Sequence, residues 1–280
     1  MTQSVNPLRA FFRQPVIYMR LPSDGEFWPE GSLDMPVNHE LPVLPMTAMD
    51  EITYRTPDAL FNGAAMVTVV QSCVPNIRDA WQMPQCDLNT VLAAIRIASY
   101  GKNMPINTEC PECKTENEYD LDLQDAMGRL ENADYSQTVT KGDLEIYFRP
   151  MSYQDQTEIN LLQFEQQRVI AMLPNSELSE EEKTRRLNDA IKNITEITVK
   201  AMGRSIQSIR TPQALVTEPE FIRDFLLNCD RNLFTAIRDK IVLLRSNDDF
   251  KPIKLKCPEC NKEYEQKFTL DTASFFETAS

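Results

Sequence analysis

Four cysteines, arranged as two copies of one tetrapeptide, are the residues in this chain best suited to a defined chemistry. The sequence Cys-Pro-Glu-Cys occurs at positions 110–113 and again at positions 257–260. A turn of this length places two thiolates on one metal ion, and four thiolates complete the tetrahedral shell that zinc prefers in structural sites. The spacing therefore predicts one structural zinc ion that is shared between the two motifs and bound by Cys110, Cys113, Cys257 and Cys260.

Other uses of these cysteines agree less well with the sequence. A redox pair would be expected in a βαβ context, which the flanking residues do not show. Disulfides would suit a secreted chain, but residues 1–16 lack the apolar segment of a signal peptide. Because thiolates at all four positions leave no place for water, we expect the metal to stabilise the fold rather than to take part in catalysis.

The composition restricts the function of the chain further. The formal net charge of −13 disfavours a nucleic-acid-binding surface, and no apolar stretch approaches the ~20 residues of a membrane helix. There is one histidine, His39, and the Gly-x-x-x-x-Gly-Lys phosphate loop is missing from the sequence. With so few groups suited to acid–base catalysis, we expect a protein that is not an enzyme. The remaining cysteines, Cys73, Cys86 and Cys229, are predicted to be small buried residues.

Shorter matches in the same order extend the similarity between the two cysteine motifs. Pro-Met-Thr at 45–47 is matched by Pro-Met-Ser at 150–152, and Cys-Asp-x-Asn at 86–89 is matched at 229–232. Ala-Ile-Arg at 94–96 recurs at 236–238, and Glu-Tyr pairs follow the motifs at 118–119 and 263–264. Each match is short and chance is the alternative, but their common order favours an internal duplication in which each half supplies one knuckle.

The duplication suggests how the metal site would form. Two knuckle hairpins related by a pseudo-twofold axis would complete one zinc ribbon, and pairing between two chains is the competing geometry. Carboxylates dominate the residues around the first knuckle and lysines those around the second. Opposite charges of this kind would favour docking of one hairpin on the other.

These patterns predict an α+β fold that combines helices with β-hairpins, an internal duplication, one split zinc-ribbon-like site of four cysteines and an extended proline-rich N-terminal arm. We divide the chain into the arm (residues 1–45), a first repeat with the first knuckle (46–135) and a second repeat with the second knuckle (136–280). An inserted helical hairpin is expected at about 153–202. Prolines interrupt the arm at Pro7, Pro15, Pro22, Pro29, Pro36, Pro42 and Pro45.

The individual elements follow from caps, turns and periodicity. Helices are predicted at 57–74 and at 84–100, the second ending at Gly101. In the second half, Ser152 and Ser179 are predicted to cap helices that reach about residues 172 and 202, and a third helix is predicted at 219–244. Strand-like alternation continues through Leu123 after the first knuckle, and a hairpin at 135–148 is expected to turn at 141–143.

Several segments between residues 20 and 125 carry a resemblance to a known family. They are Leu-Pro-Ser-Asp-Gly-Glu-Phe-Trp-Pro at 21–29, Pro-Met-Thr-Ala-Met-Asp-Glu at 45–51, Leu-Phe-Asn-Gly at 60–63, Ile-Arg at 95–96, Ser-Tyr-Gly at 99–101 and the first knuckle. In these segments the chain resembles the baseplate hub and hub assembly proteins of contractile-tailed phages of the T-even type.

The resemblance implies a structural or assembly role in the central hub of a phage tail baseplate. The implied partners are other hub and baseplate proteins, and further copies of the chain in a symmetric ring. The implied location is the host cytoplasm during assembly, and the virion tail baseplate if the protein is retained. The alternative function, based on the cysteines alone, is a zinc-ribbon protein that binds nucleic acid or regulates, for which the lysines near Cys257 are the basic candidate.

Overall fold

The computed structural model describes residues 6–56, 63–130, 133–174, 176, 178–248 and 250–268. Within these residues the chain forms eight α-helices and ten short strands, which pair antiparallel, so the predicted α+β class is confirmed. Among the helices of this described part, none has the length and apolar character needed to cross a membrane. The predictions for residues 57–62 and 269–280 lie outside the described residues.

The two longest helices of the described residues, with 20 and 25 residues, lie in the middle of the chain. The bounds of the helices are Ala48–Tyr54 (α1), Ala64–Cys73 (α2), Gln85–Tyr100 (α3), Leu123–Gly128 (α4), Tyr153–Met172 (α5), Glu180–Arg204 (α6), Pro219–Asn228 (α7) and Arg231–Asn247 (α8). The strands are Ile17–Met19 (β1), Leu41–Val43 (β2), Asn103–Glu109 (β3), Glu116–Asp122 (β4), Val139–Lys141 (β5), Leu144–Phe148 (β6), Ile206–Arg210 (β7), Leu215–Val216 (β8), Ile253–Lys256 (β9) and Glu263–Gln266 (β10). Three pairs, β1–β2, β3–β4 and β9–β10, stand alone, and the other strands form one sheet in the order β5-β6-β7-β8.

Side-chain caps set the starts of α1, α5 and α6. The hydroxyl oxygens of Thr47, Ser152 and Ser179 each accept a hydrogen bond from the backbone N–H three residues further on. Such a bond satisfies one of the N–H groups that the first helical turn leaves without a partner. At the other end of α3, Gly101 has a φ of 87°, which glycine adopts without strain, and the helix ends there as predicted.

The first hydrophobic core lies around α2 and α3, and residues from 17 to 45 of the predicted arm belong to it. Met19, Leu41 and Val43 of the β1–β2 pair are buried in this core. The indole N–H of Trp28 donates to the buried carboxylate of Asp87 at 2.7 Å, which fixes the loop after β1 to α3. Only the described residues before β1 lie along the outside of the protein as an exposed arm.

The second hydrophobic core is formed by α6, α7 and α8 with the four-stranded sheet. The β5–β6 hairpin turns at 141–143 as predicted, but β7 and β8 extend it into a sheet that the sequence analysis missed. The prediction of a single helix at 219–244 is wrong, because the helix is interrupted between α7 and α8. Asp230 caps α8 by accepting hydrogen bonds from the N–H groups of Asn232 and Leu233.

The chain returns to the first core after it has built the second. Phe250 and Phe268 both lie in the first core, and their ring centroids are 5.3 Å apart. The described residues within 6–130 and 250–268 therefore form one body (the first body), and those within 133–248 form a second body inserted between them. The knuckle hairpin β9–β10 belongs to the first body by this packing. The division into two repeats at residue 136, and the duplication itself, remain predictions.

Candidate metal centre

The two knuckles have the same backbone conformation. In each, the N–H of the first cysteine donates to a carbonyl five residues further on at 2.9 Å, and its own carbonyl accepts from the N–H four residues further on at 3.0 Å. The residues that follow the second cysteines, Lys114 and Asn261, have φ values of 60° and 58°. Two equal turns therefore present two pairs of sulphur atoms in the same way, at the ends of β3–β4 and β9–β10.

The four predicted ligands come together in one cluster. The Sγ atoms of Cys110, Cys113, Cys257 and Cys260 all lie within 4.8 Å of one another. The Sγ atoms of Cys110 and Cys260 are 3.7 Å apart, and those of Cys113 and Cys257 are 3.6 Å apart. Zinc–sulphur bonds of about 2.3 Å in a tetrahedron require sulphur separations of about 3.8 Å. A disulfide would require about 2.05 Å, so the geometry fits a shared metal and the thiols are free.

The four thiols differ in burial and in their polar contacts. Cys110 and Cys257 are fully buried, whereas Cys113 and Cys260 are exposed. A hydrogen bond with the Thr115 hydroxyl lowers the pKa of Cys113 to about 6, and the backbone N–H of Cys260 lowers the pKa of Cys257. The Lys262 N–H also lowers the pKa of Cys260. Desolvation and the three neighbouring sulphurs outweigh this effect and raise the pKa of Cys260 to about 12. Four clustered sulphurs thus resist complete ionisation unless a cation lies among them.

Uncharged side chains connect the two hairpins around the sulphur cluster. The buried Asn117 amide donates to Cys257 Sγ at 3.7 Å and to the Thr115 carbonyl at 3.1 Å. The Tyr119 hydroxyl donates to the Lys256 carbonyl at 3.0 Å, and the hydroxyls of Thr108 and Tyr264 are 2.7 Å apart. Sequence analysis singled out neither Asn117 nor Thr108, because their partners lie about 140 or more residues away in the chain.

The Glu-Tyr pairs that we matched between the two halves are not equivalent in the structure. Tyr119 follows Cys110 by nine residues, whereas Tyr264 follows Cys257 by seven, so Asn117 occupies the position that corresponds to Tyr264. The predicted docking of the two hairpins by opposite charge stays a prediction, and the second hairpin also brings lysines and carboxylates of its own together. Lys254 and Lys256 lie opposite Glu265 and Glu263 of their own hairpin.

The other residues that the sequence analysis considered lie away from the sulphur cluster. Burial raises the pKa of Cys73 to about 12 and also raises the pKa of Cys86, as expected for thiols packed in a core. Cys229 is half-buried at the junction of α7 and α8. The Nδ1 atom of His39 is 2.6 Å from Asp24 Oδ1 in an exposed turn, outside the group that could hold a metal.

Comparison with known proteins assigns the chain to a family. The family model described as T4 bacteriophage base plate protein matches residues 42–277, which include both knuckles, the whole second body and the first body from residue 42 onward. No curated protein and no solved structure gave a match to the chain. Since the matched region covers most of the 280 residues, the chain belongs to the family of T4 bacteriophage base plate proteins.

Proposed function

We propose that this baseplate protein is a structural or assembly component of the baseplate hub, built as a zinc-stapled scaffold that contacts neighbouring subunits. The observation that carries the proposal is the cluster of four free thiols within 4.8 Å, contributed by hairpins that are far apart in a chain of the baseplate family. The hub assignment is supported by the resemblance of residues 20–125 to hub and hub assembly proteins.

Zinc is the metal that the donor set favours. Sulphur ligands in a tetrahedral arrangement select zinc or iron–sulphur chemistry among the common biological metals, and a single tetrahedral shell of four cysteines is typical of structural zinc. When bound, the ion would stabilise the four thiolates and hold the two hairpins together. Because four thiolates leave no open coordination position, we propose a role in stability and no enzymatic activity.

The position of the cluster explains why a scaffold would use it. The residues between the knuckles, 114–256, include the whole second body, so one ion would close the chain around that body. Closing a long loop restricts the unfolded chain more than closing a short one. A rigid connection between the start and the end of the insertion suits a subunit that must keep its surfaces in fixed positions for other baseplate proteins. We place the protein in the host cytoplasm during assembly, and in the virion tail baseplate if it is retained in the finished particle.

The alternative, a zinc-ribbon protein that binds nucleic acid, has less support from the arrangement of charges. Carboxylates share one face of the first knuckle hairpin, at Glu109, Glu116, Glu118, Asp120 and Asp122. The lysines of β9 face carboxylates on β10, which reduces the positive potential available to a phosphate backbone. We expect only weak binding to DNA in a gel-shift assay, and we expect substitution of Lys254 and Lys256 to leave that binding unchanged.

Quantitative mass spectrometry tests the proposal directly. We would measure the copy number of the protein in purified particles of its phage and in baseplate intermediates isolated from infected cells. A fixed symmetric copy number in both would establish a hub component, and presence in the intermediates alone would establish an assembly factor. If the protein were missing from both, the hub proposal would be wrong. Metal analysis of the same purified protein should give one zinc per chain, and no bound metal would remove the zinc staple from the proposal.

A further inference from the structure

The segment at residues 6–16 has an inverted polarity for the surface of an isolated protein. Phe11 has 84% of its area exposed, and Leu8, Phe12 and Val16 are each more than half exposed. Of the two arginines in the same segment, Arg9 is exposed, whereas Arg13 turns towards the body and has only 24% of its side chain exposed. A segment that directs its apolar side chains outward and a charge inward is expected where another surface covers it.

Arg13 fixes this segment to the first body. Its guanidinium donates to the carbonyls of Pro45 (2.6 Å) and Ser72 (2.8 Å), to the Ser72 hydroxyl (2.7 Å) and to the buried Asp50 carboxylate (3.1 Å). Charge-assisted bonds of this kind hold a side chain in one orientation. The exposed aromatic rings are therefore presented on an anchored support, which reduces the ordering cost of binding.

Helix α1, which binds Arg13 through Asp50, also exposes apolar side chains. Asp50, the carboxylate that holds Arg13, faces inward, while Met49 and Ile52 of the same helix are each more than 60% exposed. We define the N-terminal patch by the six apolar residues on the outside of this support: Leu8, Phe11, Phe12, Val16, Met49 and Ile52. The exposed arginines of these two elements, Arg9 and Arg55, make its edge basic. Residues 6–23 contain no carboxylate, and in α1 Asp50 is paired with Arg13 while Glu51 accepts a hydrogen bond from the Tyr100 hydroxyl.

A surface of complementary character lies on α7 of the second body. Ile222 and Leu226 face the second core, so the opposite side of this helix faces solvent. On that side Glu220 and Asp224 are one turn apart, between the exposed side chains of Phe221 and Leu227. We call these four residues the α7 face. It combines two carboxylates with two large apolar groups, and the exposed Arg223 of the same helix lies at its border. The net negative charge and the apolar content of the face therefore match the N-terminal patch.

We propose that the N-terminal patch of one copy docks on the α7 face of a second copy, in a head-to-tail contact. Pairing of two N-terminal patches with each other would bring arginines against arginines, which opposes an interface of that kind. In the head-to-tail contact the arginines of the patch lie against the carboxylates of the α7 face. The phenyl rings of the patch pack on Phe221 and Leu227, so that both surfaces bury their exposed apolar side chains. A head-to-tail contact repeats from copy to copy and closes into a ring or continues as a filament. This contact would give the proposed scaffold a second copy of the chain as a partner, so it rests on the scaffold role proposed above.

Sedimentation velocity of the purified full-length chain over a range of concentrations tests the contact. The wild type should associate as concentration rises, and F11D/F12D should raise the dissociation constant about 30-fold or more, as for loss of interface hot spots. V37D is the matched control, because Val37 is fully exposed outside both surfaces and its substitution should leave association unchanged. A wild type that stays monomeric at the highest concentration, or F11D/F12D associating like the wild type, would overturn the proposal.

Charge exchange identifies the partner surface. R9E and E220R should each weaken association, and the double variant should recover most of the loss, because the exchanged charges again attract. Equal melting temperatures of all variants would show that they are folded, since both positions are exposed. Failure of the double variant to recover association would exclude the α7 face. The copy number in phage particles is measured independently, so the self-contact can fail while the hub role stands, and the reverse.

Discussion

The two knuckle hairpins share one turn but differ in how the rest of the protein supports them. The strands β3 and β4 have seven residues each, and the hairpin continues into α4, whose first residue Leu123 is fully buried in the first core. The strands β9 and β10 have four residues each, and Phe250 and Phe268 attach them to that core from outside the strands. The difference teaches that two identical turns can receive different support from the rest of a protein, and we expect the second hairpin to depend more on the proposed metal.

Removal of the metal should produce the largest difference between the hairpins. Chelation should lower the free energy of unfolding by about 4 kcal/mol, the scale expected for releasing a closed loop of over 100 residues. Hydrogen exchange should show loss of protection at residues 253–266, with residues 103–122 still protected. Cys257→Ser should reproduce this pattern without chelator, and Cys229→Ser, outside the cluster, should not. Equal loss of protection in both hairpins would contradict the comparison.

Truncation of the aromatic anchor should have the next largest effect. Phe250→Ala removes one ring of the Phe250–Phe268 pair and leaves a cavity in the first core, which should cost about 3 kcal/mol in denaturant unfolding. Leu243→Ala, at an exposed position of α8, is the control and should cost less than about 1 kcal/mol. If the two variants were equally stable, the second hairpin would not be held by this aromatic pair.

Asn117 offers a smaller and more specific perturbation. Its amide links the first hairpin to the sulphur of Cys257 in the second, so Asn117→Ala should weaken metal retention about tenfold, as outer-shell substitutions do elsewhere. Competition with a chelator of known affinity measures the change. Asn107→Ala, on the exposed face of β3, is the matched control. Unchanged retention in Asn117→Ala would mean that the hydrogen bond to sulphur does not support the metal.

Local signals in the sequence were sufficient for the turns, the caps and the four cysteines that cluster, but not for features that depend on distant residues. The knuckles and the starts of α5 and α6 follow from a few adjacent residues, which explains why they were predicted. The single helix at 219–244 was wrong because apolar periodicity continues across Cys229, while the Asp230 cap that breaks it resembles any exposed aspartate. Strand β7 pairs with β6 across about 60 residues, and such pairing leaves little local trace.

The smallest expected effect concerns the charges that distinguish the hairpins. Hydrogen bonds from Thr108, Asn117, Tyr119 and Tyr264 join them, so we expect docking to depend little on opposite charge. Glu118 points to solvent from β4, and Glu118→Lys should change the free energy of unfolding by no more than about 0.5 kcal/mol. Unfolding in low and high salt checks this result. A loss above about 1 kcal/mol that disappears in high salt would restore the role of charge that the sequence suggested, because salt screens exposed charges and leaves the hydroxyl contacts intact.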